Sequence, residues 1–387
     1  MKNKLLRLFK NKNFLFSLLF VLIAAISIVL IIWMSQDFSL GEFFTYIKTA
    51  SPEWIIASVL SMVLFIVFEG LALTVICRGF GYKTKLSGGF IYSAADIYFS
   101  AVTPSATGGQ PASAYFMVKD GISGVMTTAA LLLNLFLYTV SVLAIGIICF
   151  IFKFDIFLSY GLTPKIFIIA GFICQLVLAL FLFMLLINRK LLHRICRSFI
   201  HILCKIRIFK NENERQQRLD AYMDSYRKSI KIIIRHKKVI WLAFLMNLLQ
   251  RSAQIAVSVF VYMATIGSSL SDAVTVWFLQ AYTVLGANTV PVPGGVGIYD
   301  YITINGFCSI MTKAQAVHLD LLARSLSFYF CIFICGFSIL IRYIWLRKKS
   351  HKQKYVTINN SEYIWKLKIT TEKCLIFSTK QLLEEFS

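Results

Sequence analysis

Phe14 to Met34 runs for twenty-one positions without a charged residue, and a helix needs roughly 20 residues to cross a ~30 Å hydrocarbon core. Trp54 to Cys77, Val125 to Phe152, Ile166 to Ile187, Val239 to Ile266 and Leu321 to Ile341 are further apolar runs of spanning length. Hydrophobic residues make up 58% of the 387, and the mean hydropathy is +0.72. The expected fold class is therefore an all-α polytopic membrane protein with about six full transmembrane helices.

Two polar, helix-breaking stretches interrupt this pattern. The first is Thr103-Pro104-Ser105-Ala106-Thr107-Gly108-Gly109-Gln110-Pro111, and the second is Pro291-Val292-Pro293-Gly294-Gly295-Val296-Gly297. Proline removes a backbone donor and paired glycines loosen the chain. Free backbone groups at membrane depth are tolerated only against protein or water. The sequence alone allows either re-entrant hairpins or full spans kinked at proline.

The net charge of +22 decides orientation rather than partner class. Five Lys/Arg precede the first run, fifteen lie in Asn188 to Lys238 and six in Arg342 to Lys354, which marks these segments as cytoplasmic under the positive-inside rule. Both termini are then expected inside. Nucleic acid is not an expected partner, because the cations are not interleaved with stacking aromatics on a soluble surface.

Counting spans outward from the fifteen-cation loop makes residues 90–124 begin and end on the cytoplasmic side, and residues 273–320 begin and end outside. Each becomes a re-entrant hairpin, entered from opposite faces. The halves then read span, span, hairpin, span in residues 14–152, and the same order inverted from 166 to 341. Pro104 lies fifty residues after Trp54, and Pro291 fifty-two after Val239. Inverted repeats of this kind place discontinuous helices and the substrate near the bilayer midplane. The expected organisation is a first membrane repeat (1–152), an outer loop and span (153–187), a basic loop (188–238), the rest of the second repeat (239–341) and a basic tail (342–387).

Within the basic loop, Leu219, Tyr222, Met223, Tyr226, Ile230 and Ile233 recur every three or four residues among cations. The pattern predicts an amphipathic helix, lying either on the anionic leaflet or in solvent with its charges setting orientation.

No catalytic residue is expected: GxSxG, Walker and dinucleotide motifs are absent from the sequence. No cofactor is expected either, and the five histidines and nine cysteines show no ligand spacing that calls for a metal. Ionisable groups inside apolar runs cost ~2.5 to 3.5 kcal/mol each on insertion scales, so the few present mark a cavity or a partner. They are Glu69, Asp96, Arg251, Asp300 and Arg324. Gln250 and Gln254 flank Arg251 at helical spacing, so one face presents two amides and a guanidinium, a set suited to phosphate or carboxylate. Arg251 could equally pair with Glu69 or Asp96. Arg324, near the start of its run, could snorkel to the outer interface.

At its two breaks the sequence resembles the lysylphosphatidylglycerol synthase transmembrane family, also called flippase-like proteins, which includes the membrane half of the bacterial multiple peptide resistance factor. The residues that carry the resemblance are Thr103 to Pro111 with Ala114-Tyr115 after them, and Pro291 to Gly297 with Asp300 after it. Many relatives carry Gly-Glu-x-x-Arg where this chain has Gly109, Gln110 and Ser113, and Arg-Glu where it has Tyr299 and Asp300. The resemblance implies a lipid translocase for an anionic or aminoacylated phospholipid, with membrane phospholipid as partner and a separate synthase to supply it. On this view Arg251 holds the phosphate, Gln250, Gln254, Gln110 and Tyr115 donate hydrogen bonds, and Glu69, Asp96 and Asp300 face a cationic aminoacyl group, with Arg324 also at the site. Pro104, Gly108, Gly109, Pro111, Pro291, Pro293, Gly294, Gly295 and Gly297 shape the breaks. The alternatives are phosphatidylglycerol lysyltransferase activity, for which Tyr355 to Ser387 is expected to be too short to supply the transfer domain, and a solute transporter or channel. The sequence does not fix the oligomeric state.

Overall fold

A computed structural model describes residues 40–103, 107–205, 212–267, 269–288 and 297–346. The expected span at residues 14–34, the tail 355–387, and Pro104, Pro291, Pro293, Gly294 and Gly295 lie outside the described residues. The chain divides into two compact units, residues 1–336 and 337–387. All regular structure among the described residues is helical, as the apolar runs require.

A short α1 (Leu40–Thr49) precedes α2 (Pro52–Gly79). Pro52 starts α2 where its missing N–H would have had no helical partner. Gly81, at φ +90°, turns the chain away after the helix, a conformation that side chains other than glycine's resist. Then come α3 (Leu86–Val102) and α4 (Gly109–Lys119), separated by the first break. Thr103 is extended (φ −113°, ψ 145°), as expected of a residue before proline. Ser123 caps α5 (Gly124–Phe152) through the Met126 amide at 3.3 Å. The short α6 (Phe154–Ser159) and α7 (Leu162–Ile187) lead to the basic helices α8 (Arg189–Lys205) and α9 (Glu212–Arg235).

The second half opens with α10 (Lys237–Thr265), followed by α11 (Leu270–Ala287) and α12 (Ile298–Phe307) on either side of the second break. The last helix begins as α13 (Lys313–Arg324), passes through a π turn (Ser325–Phe330) and ends a 34-residue candidate span, Lys313–Leu346. In its final stretch Arg342 stacks over Trp345 at 4.6 Å.

Among the described residues, five helices are long and apolar enough to cross a membrane: Pro52–Gly79, Gly124–Phe152, Leu162–Ile187, Lys237–Thr265 and Lys313–Leu346. The protein is an all-α polytopic membrane protein. The break helices differ from these. With 17, 11, 18 and 10 residues, α3, α4, α11 and α12 are about 26, 17, 27 and 15 Å long at 1.5 Å per residue, each short of a ~30 Å core. The helices α3 and α4 pack on each other, as do α11 and α12, so each break sits at the bend of a helical hairpin.

The second hairpin is shorter than the sequence pattern suggested. It ends at Phe307, and residues 313–320, expected in its returning arm, instead begin the last span. The reason is local: Thr312 and Gln315 form a capping box that starts a new helix there. The polar side chains of Lys313, His318 and Asp320 interrupt the apolar pattern over this first part.

Helices α2 and α10, which open the two halves, pack together along their length. Helices α2 and α3 approach still more closely at Gly70 and Gly89. A Cβ on Gly70 would lie 2.8 Å from the Gly89 backbone, and one on Gly89 would lie 2.3 Å from the Gly70 carbonyl oxygen. Without lipid-excluding hydrophobic force between apolar helices, such small-residue crossings let backbone dispersion hold membrane helices together. The opposite faces show apolar side chains outward, among them Ile56, Leu60, Ile151 and Leu162, as a lipid-facing surface should.

The stripe on α9, expected against the anionic leaflet or in solvent, faces protein. Met223, Tyr226, Ile230 and Ile233 are all buried, and α9 packs on α5, α8 and α10. The apolar residues recur at helical spacing because they face protein, and the cations between them point away. Burial also pushes the Tyr222 and Tyr226 hydroxyls up from their ordinary range.

Candidate functional site

Between the two hairpins, and walled also by α2, α5, α10 and the last helix, lies a cavity of about 620 Å³. That is within the usual range for small-molecule pockets, about 300 to 1,000 Å³. Three polar groupings line it or stand behind its wall.

The first joins α2 to the first hairpin. Glu69 is buried, and its carboxyl lies against that of Asp96 on α3. Ser93 Oγ and Gln250 Nε2 donate to Glu69 Oε2 at 3.2 and 3.0 Å. Gln110 Nε2 donates to Asp96 Oδ2 at 2.8 Å, and Ser100 Oγ to Oδ1 at 3.3 Å. The Gln110 bond runs across the break from α4 to α3 and pins the arms of the hairpin. Gly109 makes room for it: a Cβ there would stand 2.0 Å from Asp96 Oδ1 and 2.1 Å from Ser100 Oγ. Gly108 donates its amide to Thr103 Oγ1 at 2.8 Å and is as tightly held, a Cβ meeting Thr103 at 2.6 Å. Pro111 lies in the first turn of α4, where its missing N–H costs no helical bond.

The second grouping is on α10. Arg251 is only 7% exposed. Its Nη1 donates to Gln254 Oε1 and its guanidinium lies over the Tyr138 ring at 4.5 Å. Its Nε has no hydrogen-bond partner, nor has Gln250 Oε1. The alternative of an ion pair with Glu69 or Asp96 is not what forms, since neither carboxylate comes within 4.0 Å of the guanidinium. A buried cation without an anion costs several kcal/mol in a medium of low dielectric. Stacking on Tyr138 recovers about 2 kcal/mol of this.

The third grouping belongs to the second hairpin. Arg324 does not snorkel; it is 3% exposed, with Nε 3.1 Å from Oδ1 of the fully buried Asp300. Its guanidinium stacks on Tyr299 at 4.5 Å and Phe328 at 5.3 Å. Asp300 Oδ2 also accepts from the amide of Gly297 at 2.9 Å. Gly297 sits at φ +86° as the N-cap of α12, a position that favours glycine. Asp320 stands near both charges. Gln280 donates to the Tyr299 hydroxyl, tying α11 to α12 much as Gln110 ties α4 to α3.

Of the residues singled out in the sequence, Glu69, Asp96, Gln110, Gln250, Arg251, Gln254 and Arg324 all line this one cavity. Asp300 lies behind its wall, paired with Arg324. Tyr115 is elsewhere: it is 47% exposed, with the Lys119 ammonium 5.7 Å from its ring. Asn134, Tyr138, Asn288 and Tyr299 also line the cavity, and sequence reasoning passed over them as sites. Asn134 carried a signal, as an amide inside the apolar run of α5. Tyr138 carried none, because its role depends on a guanidinium brought from α10 by the fold.

Chemically the cavity offers an unpaired guanidinium with amides around it, and two carboxyls in mutual contact. Among the described residues no group of His, Cys, Asp and Glu side chains is arranged to hold a metal ion. Compared with known protein families, residues 17–335 match the lysylphosphatidylglycerol synthase TM region. No curated protein matches the chain.

Proposed function

Because the chain belongs to the lysylphosphatidylglycerol synthase transmembrane family, with residues 17–335 matched, we propose that it is a lipid translocase that moves an anionic or aminoacylated phospholipid between leaflets of the cell membrane. The observation that carries this reading is Arg251, a buried guanidinium without a carboxylate partner, facing a cavity between two broken hairpins. A phosphodiester supplies the missing anion and accepts the free donor of Nε. Charge-assisted hydrogen bonds of this kind contribute about 1.5 to 3 kcal/mol each.

In this reading Gln250, Gln254 and Gln110 orient the headgroup, and the Glu69–Asp96 carboxyls stand where an aminoacyl ammonium would lie. Tyr115 has no part in it, and Asp300 with Arg324 fastens the second hairpin rather than gripping lipid. A separate synthase would supply an aminoacylated substrate. The acyl chains stay in the bilayer while the headgroup crosses.

The test is purified protein in phosphatidylcholine liposomes carrying fluorescent phosphatidylglycerol or its lysyl ester. Translocase activity appears as label in the inner leaflet becoming accessible to an external quencher, faster than in protein-free vesicles. Lysyl ester formed from lysyl-tRNA by the protein alone would overturn the reading in favour of a transferase. Solute flux without lipid exchange would overturn it in favour of a channel.

A further inference from the structure

We infer that the Glu69–Asp96 pair carries one proton with each phosphodiester headgroup, so that an anionic lipid and a proton cross together and no net charge moves. The inference rests on the translocase reading and deepens it.

The argument is one of charge balance in a buried space. A net charge within the hydrocarbon layer is costly, so the cavity has to be close to neutral both empty and loaded. Two carboxyls in hydrogen-bond contact must hold a proton between them, which leaves the pair with one negative charge. Arg251 carries one positive charge and is close enough to Glu69 to feel it without touching it. Empty, the pair and Arg251 balance each other.

A phosphodiester monoanion at Arg251 adds one negative charge. A second proton on the carboxyl pair cancels it. Among the groups that face the pair directly, no other side chain is a carboxylic acid able to take up this proton. Helix α3 contributes Ser93 and Ser100, α4 contributes Gln110, and α10 contributes Gln250 and Arg251. From the last helix only the thiols of Cys331 and Cys335 approach Glu69. Arg324 is already matched to Asp300, with Asp320 beside them. By linkage, phosphate and proton then raise each other's affinity by the same factor.

The experiment uses the full chain in phosphatidylcholine liposomes with fluorescent phosphatidylglycerol. An acid exterior is set against a neutral interior at zero membrane potential, and separately a potassium-diffusion potential is set at equal pH. The expected result is label gathering in the inner leaflet under the pH gradient, by up to tenfold per pH unit at one proton per lipid, with no response to potential. Glu69→Gln and Asp96→Asn lose the gradient-driven gathering of label, and either variant gathering label as the parent does overturns the inference. Exchange that ignores the pH gradient, or that follows potential, overturns the inference while leaving the translocase intact. Absence of exchange under every condition overturns the translocase reading and the coupling with it.

Discussion

The Arg324–Asp300 pair gives the most exacting test of how the second hairpin is held. Arg324→Met removes the cation and leaves Asp300, at zero exposure, without its partner. It also leaves Asp320 close by with no positive charge between the two carboxyls. Breaking a buried pair from one side costs about 3 to 5 kcal/mol, and the second carboxyl puts this variant at the upper end. Asp300→Asn is milder by construction. Asparagine's oxygen still accepts from the Gly297 amide, saving a cap that contributes about 1 kcal/mol, and Asp320 remains to face Arg324. At roughly 2 to 4 °C per kcal/mol for a chain of a few hundred residues, thermal unfolding in detergent should fall by about 10 to 20 °C for Arg324→Met, and by less for Asp300→Asn. The double variant should cost less than the two singles added, because removing Arg324 then leaves Asp320 alone rather than two neighbouring carboxyls. An Arg324→Met loss under about 3 °C, or strict additivity, would refute the pairing as the fastening of α12 to α13.

Other expectations follow from the cavity. Arg251→Ala should slow lipid exchange in liposomes by about 10- to 100-fold, the loss of charge-assisted bonds worth about 1.5 to 3 kcal/mol, while the protein still expresses and keeps its helical circular dichroism; unchanged exchange would show that the arginine is structural. Gly109→Ala should abolish exchange, since the added methyl occupies the place of Asp96 Oδ1, whereas Tyr115→Ala, on an exposed side chain, should leave exchange within about twofold. For orientation, single cysteines placed at Lys83 and Lys313 in a cysteine-free background should react with a membrane-impermeant maleimide from the inside and the outside respectively. Reaction of both from one face would break the inverted repeat.

The spans and breaks were legible because they depend on local chemistry. An apolar run of spanning length and a proline with glycines beside it each restrict the backbone wherever they occur, so α2, α5, α7 and α10 and both bends could be located from residue types alone. The cavity's cost-bearing residues were legible for a related reason. A charge or amide in an apolar run needs a reason to be there, and Glu69, Asp96, Arg251 and Arg324 found theirs in one place. What could not be read was pairing. Sequence offered Arg251 three partners and Arg324 an interface, and only the packing of α5 and α12 supplies Tyr138 under one and Asp300 beside the other. The α9 stripe shows the same limit: helical spacing reports that a face is apolar, and does not say whether protein or lipid covers it.

The Gly70–Gly89 crossing has a bearing on the route of the lipid tails. Its backbones come together with the Thr74 hydroxyl packed beside them, and Glu69, one residue away, lines the cavity. That wall is a closed seam: an acyl chain some 4 to 5 Å across, on the scale of ordinary carbon contacts, has no slot there to slide through. On the translocase reading, a headgroup in the cavity would trail its tails out through a different side of the bundle than the α2–α3 wall.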